Sequence, residues 1–151
     1  MDEILTSSCG LCCSDCIPSN AEFFSLADSL DEMLKDLQFG HYAELKTEVT
    51  EEFRDYPKFV SVLSQIRKLR CSGPCRSGGG KAGCGIRKCA QDKGYSGCWQ
   101  CGTRRDCPLL DRLRTIHPHI DEHLDLIHTK GPGGWFPERK EHYRWQVKER
   151  K

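Results

Sequence analysis

The spacing of the cysteines constrains this chain more than any other feature of its sequence. Eleven cysteines occur in 151 residues, and most fall into short groups: Cys9-x3-Cys13-x2-Cys16, Cys71-x3-Cys75, Cys84-x4-Cys89 and Cys98-x2-Cys101, with Cys107 following. A turn of two to four residues brings two sulfurs to one ion, about 2.3 Å away in a zinc site. Four such groups in one chain indicate metal binding, although the spacing does not identify the metal or the ligands that share a site.

A disulfide-bonded scaffold is the main alternative use of so many cysteines, and three features argue against it. The count is odd, the start MDEILTSS has neither a basic segment nor an apolar core typical of a secretion signal, and the neighbours Cys12 and Cys13 could pair only with strain. No stretch approaches the roughly 18 apolar residues of a membrane span. We therefore expect a cytoplasmic protein, where dense cysteines are more often ligands than bridges.

Helical periodicity is clear before the central cysteines. Apolar residues recur at helical spacing through Phe23, Ala27, Leu30, Leu34 and Leu37. Ser19 and Glu22 form a capping-box pattern at the start of this helix, and Gly40 is placed to end it. A second helical stretch, residues 43–70, is expected to be interrupted at Pro57.

The periodicity disappears between residues 71 and 107, which hold seven cysteines and many glycines, so loops and short turns tied together by ligands are expected there. It returns after Pro108 in an amphipathic helix that Pro118 is expected to bend, and GPGG at residues 131–134 predicts a turn. The predicted fold is thus one small, mainly α domain over residues 1–151: helical over 18–70, irregular, cysteine-rich and stapled by metal over 71–107, and helical over 108–151.

Charge is strongly segregated along the chain. Residues 67–105 contain ten lysines and arginines and one acidic residue, Asp92. A nucleic-acid-binding surface is one interpretation. The favoured interpretation is local neutralisation, because an ion held by four thiolates leaves a negative charge that nearby basic side chains offset.

The cysteine pattern resembles a bacterial and archaeal family called domain of unknown function 3795. The resemblance rests on CGLCCSDC, on CSGPCRSGGGKAGCGIRKCAQDKGYSGCWQC with CPLL, and on IDEHLDLIHTKGPGGWFPERKEHYRW. It implies a metal site without an established activity. Carried over by position, it implies ten ligands, with Cys12 at a variable position: Cys9, Cys13, Cys16, Cys71, Cys75, Cys84, Cys89, Cys98, Cys101 and Cys107. Many members continue into a zinc-ribbon-like segment whose further cysteines this sequence lacks.

Together these features predict a zinc-binding protein whose thiolate sites are structural and which serves as an interaction or adaptor module for an unidentified protein partner. The first alternative is an iron–sulfur protein, for instance with a 4Fe-4S cluster, acting in electron transfer or redox chemistry. The second is a nucleic-acid-binding module that uses residues 67–105. No arrangement of general acid, base and nucleophile supports hydrolytic or transfer chemistry, so catalytic residues are not predicted.

Overall fold

The computed structural model describes residues 2–117 and 119–147 and is mainly α-helical. Its helices are α1 (Asp2–Leu5), α2 (Ala21–Asp36), α3 (Phe39–Lys46), α4 (Tyr56–Lys68), α5 (Gly85–Asp92), α6 (Pro108–Ile116) and α7 (Ile120–Glu138). Over the described residues β-pairing is limited to one isolated antiparallel bridge, between Thr6 and Cys12. The predicted mainly α fold class is confirmed.

The chain divides into two compact units. Unit 1 comprises Met1–Ser19 and Cys71–Lys151, and unit 2 comprises Asn20–Arg70. Every cysteine of the sequence belongs to unit 1. The single domain predicted for residues 1–151 stays a prediction. Among residues 2–117 and 119–147, none of the helices combines the length and apolar character needed to cross a bilayer.

Unit 2 is built from α2, α3 and α4. Buried apolar side chains form its small core, namely Phe24, Ala27, Ala43 and Leu63. Ion pairs join α2 to α4: Arg67 contacts Asp28, with Nε 2.7 Å from Oδ1, and also the buried Asp31. Arg70 pairs with Asp28 as well. The later residue of α2, Asp31, thus contacts the earlier arginine, Arg67, whereas the later arginine, Arg70, contacts the earlier Asp28. The two helices therefore run antiparallel.

The ends of the unit 2 helices differ from the predicted ones. The cap predicted at Ser19 is wrong, because the Asn20 side chain accepts the Phe23 N–H at 2.9 Å and caps α2. Helix α2 ends at Asp36 and Gly40 lies inside α3, so Gly40 is not a terminator. Pro57 lies in the first turn of α4, where a missing backbone N–H costs nothing, and therefore helps to begin that helix.

Unit 1 packs around the C-terminal helices and the first cysteine loop. Its core contains Leu11, Cys12, Trp99, Leu110, Ile120, Leu124, Ile127, Trp135 and Tyr143. Gly10 has a φ of +87°, and a Cβ there would lie 2.8 Å from Leu124 Cδ2. Only glycine therefore lets the loop between Cys9 and Cys12 lie so close to α7.

Three features of unit 1 go beyond the predicted elements. The segment 71–107 is not made only of loops and turns, because it contains the eight-residue helix α5. The helix predicted after Pro108 is two helices, α6 and α7; Pro118, the predicted bend, lies outside the described residues. The break predicted at GPGG appears inside α7, where Gly131 leaves the helical conformation (φ 72°, ψ 167°).

The chain leaves unit 1 after Ser19 and returns to it at Cys71. The Cys71 N–H donates to the Pro18 carbonyl at 2.8 Å. The end of the first unit 1 segment and the start of the second are therefore adjacent. This contact places the first cysteine loop near the central cysteines.

Candidate metal centre

Four of the predicted ligands line one cavity of about 200 Å³ in unit 1: Cys89, Cys98, Cys101 and Cys107. Each is placed by a short element. Cys89 lies in α5, Cys98 begins a 3-10 turn that ends just before Cys101, and Cys107 is the N-cap of α6. Apolar side chains, among them Ile86, Leu109 and Leu110, complete the wall. We call these four residues the cavity cysteines.

The cavity cysteines are close enough to affect one another's ionisation. Burial raises the pKa of the Cys98 thiol to about 12, and negative charge on Cys9, Cys107, Cys101 and Cys89 contributes in the same direction. Thiols that share an apolar cavity cannot all ionise unless a cation or cationic cluster compensates them. The donor set therefore fits a thiolate-bound metal.

Cys101 is the exception among the cavity cysteines, because its pKa is lowered. The main cause is a hydrogen bond from the Thr103 hydroxyl, 3.5 Å from the Cys101 sulfur, and the Thr103 backbone N–H adds to it. The positive charges of Lys93 and Arg104 act in the same direction. The surroundings of Cys101 therefore favour the thiolate form of its side chain.

Arg104 also lines the cavity and is fixed on its other side. Its Nη1 donates to the Cys101 carbonyl at 3.2 Å, and its Nη2 donates to Asp125 at 2.8 Å. Within the described part of the chain, its buried Nε has no hydrogen-bond partner. An unsatisfied buried donor is costly, so this N–H suits a hydrogen-bond acceptor on a group bound in the cavity that Arg104 lines.

The other six predicted ligands form a second group in unit 1, which we call the loop cysteines: Cys9, Cys13, Cys16, Cys71, Cys75 and Cys84. Their thiols also interact electrostatically. The pKa of Cys9 is raised to about 11, mainly by burial, with smaller effects of Cys75 and Cys84. Burial likewise raises the pKa of Cys13 and Cys16, and their neighbours include Cys75 and Cys71 respectively.

A backbone N–H points at the sulfur of one loop cysteine. The Gly80 N–H donates to Cys71 Sγ at 3.0 Å. The nearby backbone N–H groups of Leu11, Cys75 and Ser19 partly oppose the rise in the pKa values of Cys9, Cys13 and Cys16, respectively. Such N–H···S bonds orient ligand sulfurs and stabilise their thiolate form.

The two cysteine groups are neighbours. The Cys98 N–H donates to the Ser8 carbonyl at 2.8 Å, which joins the turn of the cavity cysteines to the loop that carries Cys9. All eleven cysteines are free thiols. Across residues 2–117 and 119–147, no three Cys, His, Asp or Glu side chains are already gathered at the spacing of a bound ion. The ten-ligand set therefore stays a prediction; four of its members line the cavity described above and six do not.

Cys12 differs from the other cysteines in being fully buried in the core of unit 1. Its sulfur lies 3.0 Å from Ser14 Oγ. Its N–H donates to His142 Nε2 at 3.1 Å, and its carbonyl accepts the Tyr143 hydroxyl at 3.0 Å. These contacts give Cys12 a packing role and tie the first cysteine loop to the C-terminal segment.

Basic residues of segment 67–105 bind protein groups around the cysteines. Arg87 donates from Nη1 to the carbonyls of Cys75 and Gly79, both at 2.7 Å, and the same nitrogen lies 3.8 Å from Cys75 Sγ. Arg76 donates to the Thr6 carbonyl at 2.6 Å and lies over the Trp99 ring. The sequence identified this positive charge but not the individual roles of Arg87 and Arg104, which depend on the fold of the loops.

Comparison with known proteins gives one result. Residues 5–112 match the family described as a protein of unknown function, DUF3795, and this range contains every cysteine. No curated protein and no solved structure matches the chain. Because the match covers well over half of the sequence, the chain belongs to the DUF3795 family.

Proposed function

We propose that unit 1 is a metal-binding redox unit in which the cavity cysteines hold an iron–sulfur cluster. The observation that carries the proposal is that four cysteines line one cavity of about 200 Å³ together with apolar side chains. Four cysteines are the usual ligands of an iron–sulfur cluster. A cluster contains several iron and sulfide ions, so it needs more room between its ligands than the one ion of a zinc site, whose sulfurs lie about 2.3 Å away.

The residues around the cavity have definable roles in this proposal. When bound, an iron–sulfur cluster supplies a one-electron redox couple. Leu110 is fully buried and Ile86 packs against the core, so this side of the cavity limits access of water to the thiolates. Lys93 and Arg104 offset negative charge at Cys101. Positive charge near the sulfurs favours the reduced form and raises the reduction potential.

Structural zinc, with an adaptor role, is the second candidate. The Cys98-x2-Cys101 spacing and the Thr103 N–H bond to Cys101 are typical of zinc-binding turns as well. Nucleic-acid binding by residues 67–105 is supported less, because Arg76 and Arg87 bind backbone carbonyls and Arg105 pairs with Asp125. These contacts favour local neutralisation as the role of that positive charge.

The proposal is tested by metal and sulfide analysis of the full chain purified without oxygen, together with its visible absorption. We expect iron and acid-labile sulfide with a broad visible band that bleaches on reduction. Cys98→Ser is expected to lower iron and sulfide by one cluster. Cys12→Ser is the matched control, since Cys12 lies in the core and its replacement retains a hydroxyl near Ser14.

Zinc without sulfide or colour would overturn the iron–sulfur proposal in favour of the second candidate. Protein without stoichiometric metal would overturn both. Equal iron in Cys98→Ser and in the unmodified chain would show that the cavity cysteines are not the ligands.

A further inference from the structure

We infer that unit 2 binds a second copy of this chain through an apolar face made by α2 and α4. The first observation is a row of five side chains on α2 and at its C-cap that remain 40–66 % exposed: Phe23, Leu26, Leu30, Met33 and Leu37. Their intervals alternate between three and four residues, which is the heptad spacing of helices that pack side by side. The buried residues Phe24 and Ala27 lie on the adjacent side of the helix.

Helix α4 has a matching row. Phe59, Val62 and Leu69 are 46–60 % exposed, and the partly buried Ile66 completes the same three-and-four spacing. In both helices an exposed residue of the row comes one position before a buried one, as Phe23 does before Phe24 and Val62 before Leu63. One position is a rotation of about 100° around the helix axis, so the exposed row is turned from the buried row by the same angle and in the same direction in each helix. Because α2 and α4 are antiparallel, equal rotations turn both rows toward the same side of the pair. The two rows therefore form one continuous surface, which we call the α2–α4 face.

The area of this face matches what a dimer requires. A whole large apolar residue exposes about 200 Å², so the exposed fractions of the eight exposed side chains, without Ile66, amount to roughly 800 Å² per copy. That is the share of each partner in a standard interface. Monomers rarely carry a contiguous apolar patch beyond roughly 300–600 Å². A second copy presents the same heptad-spaced rows, so two faces together form a four-helix bundle.

Charges at the margins of the face are complementary between copies. Asp36 lies at the outer margin of α2 and Lys58 at the outer margin of α4, and both are exposed. The pairings of Asp28 and Asp31 with Arg67 set the register, which brings residue 36 level with the start of α4. In a two-fold dimer whose axis runs along the helices, α2 lies against α4 of the other copy. Asp36 then faces Lys58 of that copy.

Sedimentation of the full chain with its metal, under reducing and oxygen-free conditions, tests this inference. The expected result is a concentration-dependent equilibrium between the chain and a species of twice its mass. Leu30→Glu, at the centre of the α2 row, should raise the dissociation constant at least about tenfold, because two carboxylates would be buried per dimer. Leu45→Glu is the matched control, since it makes the same change at a leucine of α3 that is 73 % exposed and lies outside the α2–α4 face, and it should leave the dissociation constant unchanged.

A single species of monomer mass at all concentrations would overturn the inference, as would a dimer equally weakened by both variants. Helical circular dichroism of each variant separates loss of the dimer from loss of the fold. If Leu30→Glu misfolds, the charge-reversal pair decides: Asp36→Lys alone should weaken the dimer, and addition of Lys58→Asp should restore it. Failure of restoration would contradict the proposed arrangement. None of these substitutions touches a cysteine, so the result is independent of the proposed metal.

Discussion

His123 is a buried side chain that makes the stability of unit 1 depend on pH. Its Nδ1 accepts the Trp135 indole N–H at 2.9 Å, so the ring is neutral with its proton on Nε2. Burial, with a smaller effect of nearby His142, lowers its pKa to about 4. Protonation would remove the acceptor from Nδ1 and place a charge in the core. His123 therefore stabilises the fold only while it is neutral.

The sign of the pH effect follows from that depressed pKa. An unfolded histidine titrates near 6.5, so the contribution of His123 is complete above that pH and is lost as the pH falls from about 6.5 to about 4. We expect His123→Gln, which keeps an acceptor but cannot titrate there, to be less stable than the unmodified protein at pH 7. The stability difference should shrink toward pH 4.5. Urea unfolding of both proteins at each pH measures it.

Acid also protonates the thiolates, but it does so in both proteins, so the difference isolates the histidine. A difference that is constant between pH 7 and pH 4.5 would contradict the argument. The sequence did not predict this cluster. Trp135, His142 and Tyr143 have no common periodicity, and only the break at Gly131 and the path of the chain after α7 bring them together.

The helices of unit 2 were predictable from the sequence where the apolar residues recur at helical spacing. The residues at which these helices begin and end were harder to predict. The apolar spacing identified α2, but Ser19, Asn20 and Glu22 all fit the start of a helix, and only the backbone shows which side chain reaches an N–H. Helix α5 was missed because it is only eight residues long, so that few residues mark its inner face: Ile86, Cys89 and the buried Ala90. The glycines and cysteines on either side of it suggested loops instead.

The cap of α2 makes a prediction at this scale. Replacing Asn20 with alanine leaves the Phe23 N–H without its partner and should lower the free energy of unfolding by about 1 kcal/mol. Asn20→Asp should retain most of the stability, since a carboxylate also caps. Ser25→Ala, at an exposed position inside α2, is the control and should change stability by less than about 0.5 kcal/mol. Thermal unfolding followed by helical circular dichroism gives the values, and an unchanged Asn20→Ala protein would refute the capping role.

At the scale of the whole molecule, the division into two units separates the candidate metal ligands from a helical unit that has none. The sequence showed the contrast in cysteine content and charge but not the division, because contacts between segments far apart in sequence define unit 1. It identified ten candidate ligands. It could not divide them into cavity and loop cysteines, since that division depends on how loops fold over one another.

Removal of the proposed metal is expected to affect the two units unequally. A structural zinc contributes an apparent binding free energy of about 10–16 kcal/mol, comparable to the entire net stability of a domain, about 5–15 kcal/mol. Chelation should therefore remove amide-exchange protection over residues 71–107 before it affects α2. Hydrogen exchange with and without chelator, followed by readdition of metal, measures this. Equal loss of protection in both regions would show that the metal does not selectively hold the cysteine-rich segment.

The hydrogen bond between Cys71 and Pro18 has a consequence for the order in which the molecule assembles. It closes a loop that contains all of unit 2, and closing a loop of about 50 residues costs roughly 3–4 kcal/mol in chain entropy. A unit 2 that has already folded brings its own ends together and reduces that cost for the cysteines on either side. The folded helices of unit 2 therefore hold the two cysteine-bearing segments close together in advance, and weakening these helices should lower the metal affinity of the cysteines of unit 1.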